Sequence, residues 1–132
     1  MKENISVVAG MLYKKGKFLI GRRLPDDLGG GYWEFPGGKR EEKESSEHCL
    51  IRELNEELGI VVESFSFFTS YDYEHPDKIY DLCFYLVTGY KGSIIMNAHD
   101  KLEWVSIDDM KNYKLLPGES PLMKKLNEEN FK

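Results

Sequence analysis

The chain has only two cysteines, Cys49 and Cys83, among its 132 residues. They stand far apart in apolar segments and read as reduced packing residues, neither a disulfide framework nor a metal pair. No apolar run reaches the ~18 residues that a membrane helix needs. The opening MKENISVVAG lacks the apolar stretch and cleavage pattern of an export signal, so the cytoplasm is the expected compartment. Basic charge is also short: 18 Lys and Arg stand against 23 Asp and Glu, a formal net charge of −5. Such a chain is a poor partner for a nucleic-acid polymer, whose backbone calls for a basic surface. A phosphorylated small molecule stays open, because a bound divalent metal supplies positive charge locally. Repeats, linkers and low-complexity tracts are missing too, and the length suits one domain over residues 1–132.

What is present is a set of strands around one strongly patterned helix. Residues 5–13 and 17–23 read as a hairpin turning at Lys14-Lys15-Gly16-Lys17. LPDDLGGG at 24–31 has loop composition. Residues 32–35 form a short aromatic strand stopped by Pro36-Gly37-Gly38, and residues 39–45 read as polar loop. A helix is expected over 46–58, with Ser45 as N-cap, Gly59 as its stop and Leu50, Ile51, Leu54 and Leu58 as its apolar stripe. Residues 65–73 alternate as a strand, 79–88 are apolar on both faces like a central strand, and 102–105 form another. Short helices are expected over 107–113 and from Pro121 to 127. The sum is an α+β fold, a mixed sheet packed with one long and two shorter helices.

The stretch RELNEELG at 52–59 is electrostatically odd. With Leu50 at 0° and about 100° per residue, Glu53, Glu56 and Glu57 fall near 300°, 240° and 340°. They share a face beside the core stripe. Arg52 falls near 200°, so no adjacent cation is expected to offset them. Like charges at this spacing each destabilise a helix by a few tenths of a kcal/mol, and the C-terminal half of a helix disfavours anions. A hard divalent cation resolves the repulsion, since Mg²⁺ takes oxygen ligands and keeps waters for substrate phosphates.

The carboxylates also sit in a longer pattern. From Gly38 the chain reads five residues, Glu44, seven residues, then Arg52-Glu53-Leu54-x-Glu56-Glu57-x-Gly59-Ile60. This resembles the Nudix hydrolase signature at every constrained position. WEFPGGK at 33–39, Gly21-Arg22-Arg23, Glu103-Trp104 and LPGESP at 116–121 are similar to the MutT-like branch, and the likeness spans roughly residues 5–126.

The resemblance implies a Nudix fold, a mixed sheet sandwiched between helices (α/β/α). It implies hydrolysis of a nucleoside triphosphate to a monophosphate and pyrophosphate, with attack at the β-phosphorus and with Mg²⁺ or Mn²⁺. Glu56 and Glu57 would be metal ligands, Glu53 a ligand or the general base, and the Gly38 carbonyl a further ligand. Glu44 would pair with Arg52. Arg23 would contact the nucleotide and Phe35 would line the base pocket. Lys39 is a candidate phosphate contact. Arg22 and Arg23 point to opposite faces of a strand, so one of them is available to the substrate. His48, His75 and His99 lack metal spacing and read as structural or exposed.

Two positions depart from the branch. Where a further metal-reaching glutamate often stands, the chain has Ala98, with Asp100 nearby as the candidate substitute. Where Asn or Asp often reads the base, it has Glu119. An ionised carboxylate only accepts hydrogen bonds, so Glu119 would favour an amino or N–H edge. The expected substrate is an oxidised purine such as 8-oxo-dGTP, removed to avoid mutation, and CTP, dCTP or 5-methyl-dCTP is the alternative. A non-catalytic nucleotide-binding module is the third reading. The protein is expected to be a monomer or homodimer.

Overall fold

The computed structural model describes residues 2–129. Strand β1 (Glu3–Lys14) and strand β2 (Lys17–Arg23) form the expected hairpin. Its turn carries Lys15 and Gly16 at φ 52° and 80°, the left-handed pair that a two-residue hairpin loop requires. Short β3 (Trp33–Glu34) pairs with β2, and β4 (Gly37–Lys39) pairs antiparallel with Val7–Ala9 of β1. Helix α1 (Ser46–Leu58) follows, then β5 (Val61–His75), β6 (Lys78–Lys91) and β7 (His99–Val105). Helix α2 (Ile107–Met110), a 3₁₀ turn at Pro117–Glu119 and α3 (Ser120–Glu129) complete the described chain.

The seven strands make one mixed sheet in which β1 runs parallel to β6 and antiparallel to β2 and β4. Alternation along the strands sorts side chains into two cores. Val8, Leu12 and Leu19 pack with Cys49, Leu50, Leu54 and Leu58 of α1. Ala9, Met11, Phe18 and Ile20 pack on the opposite face with Met110, Leu122 and Leu126 from α2 and α3. The result is helix, sheet, helix, with β1 and β2 feeding both cores.

Several elements differ from the sequence reading. Gly37-Gly38-Lys39, read as a stop and a loop, is a strand because the β1 backbone supplies its partners. Glycine is needed at 37, where a Cβ would run into the carbonyl and Cα of Val8 and Ala9. Strand β5 is longer than expected and lies at the sheet edge, with many exposed residues. In α1, Cys49 is fully buried and Ile51 only partly, so the stripe lies slightly to one side of the expected one. Helix α2 is a single turn rather than a span to Tyr113.

Leu54 is fully buried, and its Cδ1 lies 2.7 Å from where a Cβ on Gly10 would stand. Helix α1 thus approaches β1 across a glycine. Leu54→Ala is expected to destabilise the fold by about 2–5 kcal/mol, and Gly37→Ala by about 1–3 kcal/mol through overpacking. Urea unfolding measures both; parental stability in either variant would contradict this packing.

Candidate active site

Helix α1 begins where the Ser45 hydroxyl accepts from the His48 N–H at 3.1 Å and ends at Gly59 in the left-handed region, φ 70°. Its last carbonyls would otherwise be orphaned. They accept from the segment before β7: Ile95 N–H donates to Leu58 at 2.9 Å, and Asn97 donates through its backbone to Glu57 and through Nδ2 to Glu56, both at 3.1 Å. The turn that bears Glu56 and Glu57 is therefore fixed from both sides.

Arg52 is the hub of this face. Its Nε and Nη2 grip Glu44 at 2.6 and 2.9 Å, Nη2 also donates to the Lys39 carbonyl at 3.1 Å, and Nη1 reaches Glu53 at 2.9 Å and Glu56 at 3.0 Å. The expectation that Arg52 points away and leaves the acids without a cation is corrected here. The wheel angle fixes only the Cα–Cβ direction, whereas the long side chain folds back onto the i+4 glutamate. Glu44 is only 7% exposed. The Arg52 contacts and the Glu41 N–H hold its carboxyl down at about 2. The same pairs hold Arg52 firmly charged.

Arg52 does not serve Glu57. That carboxyl accepts from the Gly37 N–H at 3.3 Å. Burial, with the charges of Glu34 and Glu53, pushes it up to about 8. Burial also raises Glu53, against the pull of Arg52. A Cβ on Gly38 would overlap the Glu53 carboxyl, so the glycine lets backbone and carboxylate meet. The Gly38 carbonyl accepts from the Cys49 thiol at 3.7 Å. Gly38, Glu53 and Glu57 thus bring hard oxygen donors together, the kind Mg²⁺ takes. Among the described residues no three acidic groups already form a ready cage.

A second group of residues faces this one from β2, β3 and β7. Leu19 belongs to the α1 core, so Gly21 and Arg23 share its face by strand alternation. Glu34 is the register partner of Gly21. Arg23 donates to Glu34 at 2.9 Å and to the Leu28 carbonyl at 2.7 Å. Glu34 also meets His99 Nε2 at 2.9 Å. Neither Glu34 nor the buried His99 stood out in the sequence as functional. The available signal was an acid inside the aromatic strand Tyr32–Phe35.

Glu119 is 7% exposed, its Oε1 has no partner among the described residues, and the Phe35 backbone donates to its carboxyl. Burial, reinforced by Glu34, raises its pKa well above the ordinary carboxylate range. Burial thus disfavours the ionised form that an acceptor-only Glu119 requires; when protonated, the acid offers one donor and one acceptor. The Phe35 ring is buried against Phe18 in the core on the far side of the sheet, so Phe35 meets Glu119 through its backbone. The Lys39 side chain is exposed. Asp100 does not join the carboxylates: Arg22 Nε holds it at 2.7 Å, and Arg22 also lies over the Trp33 ring of the far core.

Comparison with known proteins agrees with this geometry. The NUDIX domain family matches residues 2–126. The CTP pyrophosphohydrolase of Escherichia coli is 35% identical over 119 residues, covering 90% of this chain and 88% of that protein. The 8-oxo-dGTP diphosphatase of Escherichia coli is 32% identical, covering 94% and 97%. A solved structure from work on MutT of Aliivibrio salmonicida and Vibrio cholerae superposes with a TM-score of 0.82 at 32% identity, covering 96% of this chain and 99% of that one. No helix among the described residues is long and apolar enough to cross a membrane. The signature spacing, the mixed sheet between helices and the matched span agree: the chain belongs to the Nudix hydrolase family.

Proposed function

We propose that this hydrolase converts nucleoside triphosphates to monophosphates and pyrophosphate, with oxidised purine nucleotides such as 8-oxo-dGTP as the principal substrates. The observation that carries the reading is Glu57. Among the described residues no cation bonds this carboxyl, which is crowded by Glu34 and Glu53 on a face where Arg52 already serves the other acids. Gly38, Glu53, Glu56 and Glu57 would hold Mg²⁺ or Mn²⁺, which when bound offsets phosphate charge and acidifies water. Glu53 would accept the proton of the attacking water: Arg52 fixes its Oε1, and burial raises its basicity. Arg52 and Glu44 orient that glutamate. Lys39, exposed beside Gly38, would meet the phosphates. Nucleotide contact falls to Arg23 and Glu119, with Phe35 acting through its backbone.

A neutral Glu119 fits either base class. Its O–H and C=O complement the O6 and an adjacent N–H of an oxopurine, and also the N3 and amino group of cytosine. The similarity to a CTP pyrophosphohydrolase supports the cytosine reading as the second one. A panel of 8-oxo-dGTP, dGTP, CTP and 5-methyl-dCTP with Mg²⁺, scored as kcat/KM with pyrophosphate detection, decides between them. Highest efficiency on 8-oxo-dGTP is expected. The cytosine nucleotides leading would install the second reading, and no pyrophosphate from any of them would leave a binding module.

Two further outcomes follow from the residues. Glu53→Gln is expected to lower kcat by about 10²–10⁴-fold, the usual range for a lost general base, while circular dichroism stays parental; a near-parental rate would remove Glu53 from catalysis. Glu57 sets a pH dependence in the metal-free protein. Its folded pKa of about 8 exceeds the ordinary 4.5, so its contribution to stability is full below 4.5 and is lost as pH rises toward 8. Metal-free parent should therefore lose stability over that window by an amount on the order of a few kcal/mol, and Glu57→Gln should lose much less. Thermal unfolding in chelator at a series of pH values measures it, and parallel curves would contradict the assignment.

A further inference from the structure

We propose that His99 is a positioning residue for base selectivity, holding the Glu34 carboxylate in the place where it acts beside Glu119. This rests on the nucleotide-hydrolysing reading above.

The fold departs from regular structure three times around this imidazole. The first departure is in register. Arg22 pairs with Lys101 but Arg23 pairs with His99, so Asp100 is the extra residue of a β-bulge. Regular alternation would put Asp100 on the face of Leu102, toward α1, and His99 on the other. The bulge reverses this. His99 lies over Gly21 on the α1 face, and Asp100 joins Arg22. The second departure is Gly21 itself, a glycine inside a strand. A Cβ there would stand 2.6 Å from the His99 ring carbons, so only glycine leaves room for the imidazole. The third is His99 Nδ1, a buried polar atom with no partner among the described residues. Only 4% of His99 is exposed, and such an atom calls for an explanation.

All three departures serve one contact. His99 Nε2 meets Glu34 Oε2 at 2.9 Å while Arg23 Nη1 takes Oε1 at 2.9 Å. A carboxylate oxygen accepts, so Nε2 carries the proton of this contact. Arg23 is itself tied to Leu28. Glu34 therefore has each oxygen fixed by a different donor, and its orientation is set. Glu34 lies close enough to act electrostatically on both Glu57 and Glu119. It is coupled to the acid assigned to the cation and to the acid assigned to the base. A histidine that only filled space would need neither the bulge nor the glycine, since a small apolar residue on a regular strand does that.

The placement assigns selectivity, rather than the chemical step, to His99. Without the Nε2–H donor, Glu34 Oε2 is free to turn, and the acceptor it presents to a base N–H group is no longer fixed. His99→Phe removes the donor and keeps a flat ring. His99→Gln keeps an N–H donor of similar reach. Gly21→Ala displaces the ring without touching it chemically.

The test uses the full chain with saturating Mg²⁺ and the four-nucleotide panel, together with binding of dGMP and CMP in chelator. For His99→Phe, KM for the best substrate is expected to rise tenfold or more with kcat within threefold. The ratio of kcat/KM between oxopurine and cytosine substrates should fall toward one, and monophosphate binding in chelator should weaken in parallel. His99→Gln should recover most of the loss, Gly21→Ala should reproduce the His99→Phe pattern, and the effects of His99→Phe and Glu34→Gln should be non-additive. Parental KM and selectivity in His99→Phe would overturn the proposal. So would an equal loss of kcat on every nucleotide, or a Gln variant no better than Phe. If His99→Phe does not fold, the Gly21→Ala and Glu34→Gln pair decides by the same measurements. A parent that releases no pyrophosphate from any nucleotide is a failure of the functional reading; an active parent with an unaffected His99→Phe is a failure of this one alone.

Discussion

Two N–H groups of Arg52 meet the two oxygens of Glu44 at 2.6 and 2.9 Å, and the acidic face is built on that pair. Glu44 is buried in the segment between β4 and α1. Losing Arg52 would leave the buried Glu44 charge without its guanidinium, which is strongly destabilising. The pair pins that segment to the helix, and the Arg52 bond to the Lys39 carbonyl pins β4 as well. Gly38 is thereby brought against Glu53. The same guanidinium then reaches Glu53 and Glu56, so one side chain sets the loop, the strand and two of the three helical acids.

The remaining acids divide by their counterions. Glu34 has the Arg23 guanidinium, with a hydrogen bond to His99 beside it. Among the described residues no cation is bonded to Glu57 or Glu119, and burial raises the pKa of both. Both lie within the fields of Glu34 and of Arg23, and burial outweighs the pull of Arg23 at each. In the proposed reading a nucleoside triphosphate carrying a divalent cation would answer both, the cation end meeting Glu57 and the hydrogen-bonding edge of a base meeting Glu119. The chain's acidic balance and its nucleotide chemistry are then compatible, because the positive charge that meets the phosphates comes chiefly with the cation.

Local signals were legible in the sequence, and tertiary ones were not. Helix α1 was readable to its ends because its period, its Ser45 cap and its Gly59 stop are all written within fifteen residues. The hairpin of β1 and β2 was readable from its lysine-glycine turn. Strand β4 was not, because Gly-Gly-Lys has no strand propensity and becomes a strand only through the β1 backbone. Arg52 was misplaced because a helical wheel records where a side chain starts, and a guanidinium ends several ångströms away. The resemblance implies Phe35 as pocket lining, but the pleat turns its ring into the far core and leaves its backbone beside Glu119. The charge state of Glu119 depends on burial, which sequence does not show. The Glu34–His99 contact depends on a bulge at Asp100, a register event between strands far apart in the chain.

The α1 face would be a cation site in which Glu57, the acid that Arg52 does not reach, is the decisive ligand. Mn²⁺ titration followed by the electron paramagnetic resonance of the free ion tests it most directly, with parent and Glu57→Gln compared near pH 8. Parent should take up Mn²⁺ saturably, and Glu57→Gln should bind at least tenfold more weakly with its fold intact. Equal affinity in the two proteins would contradict the claim.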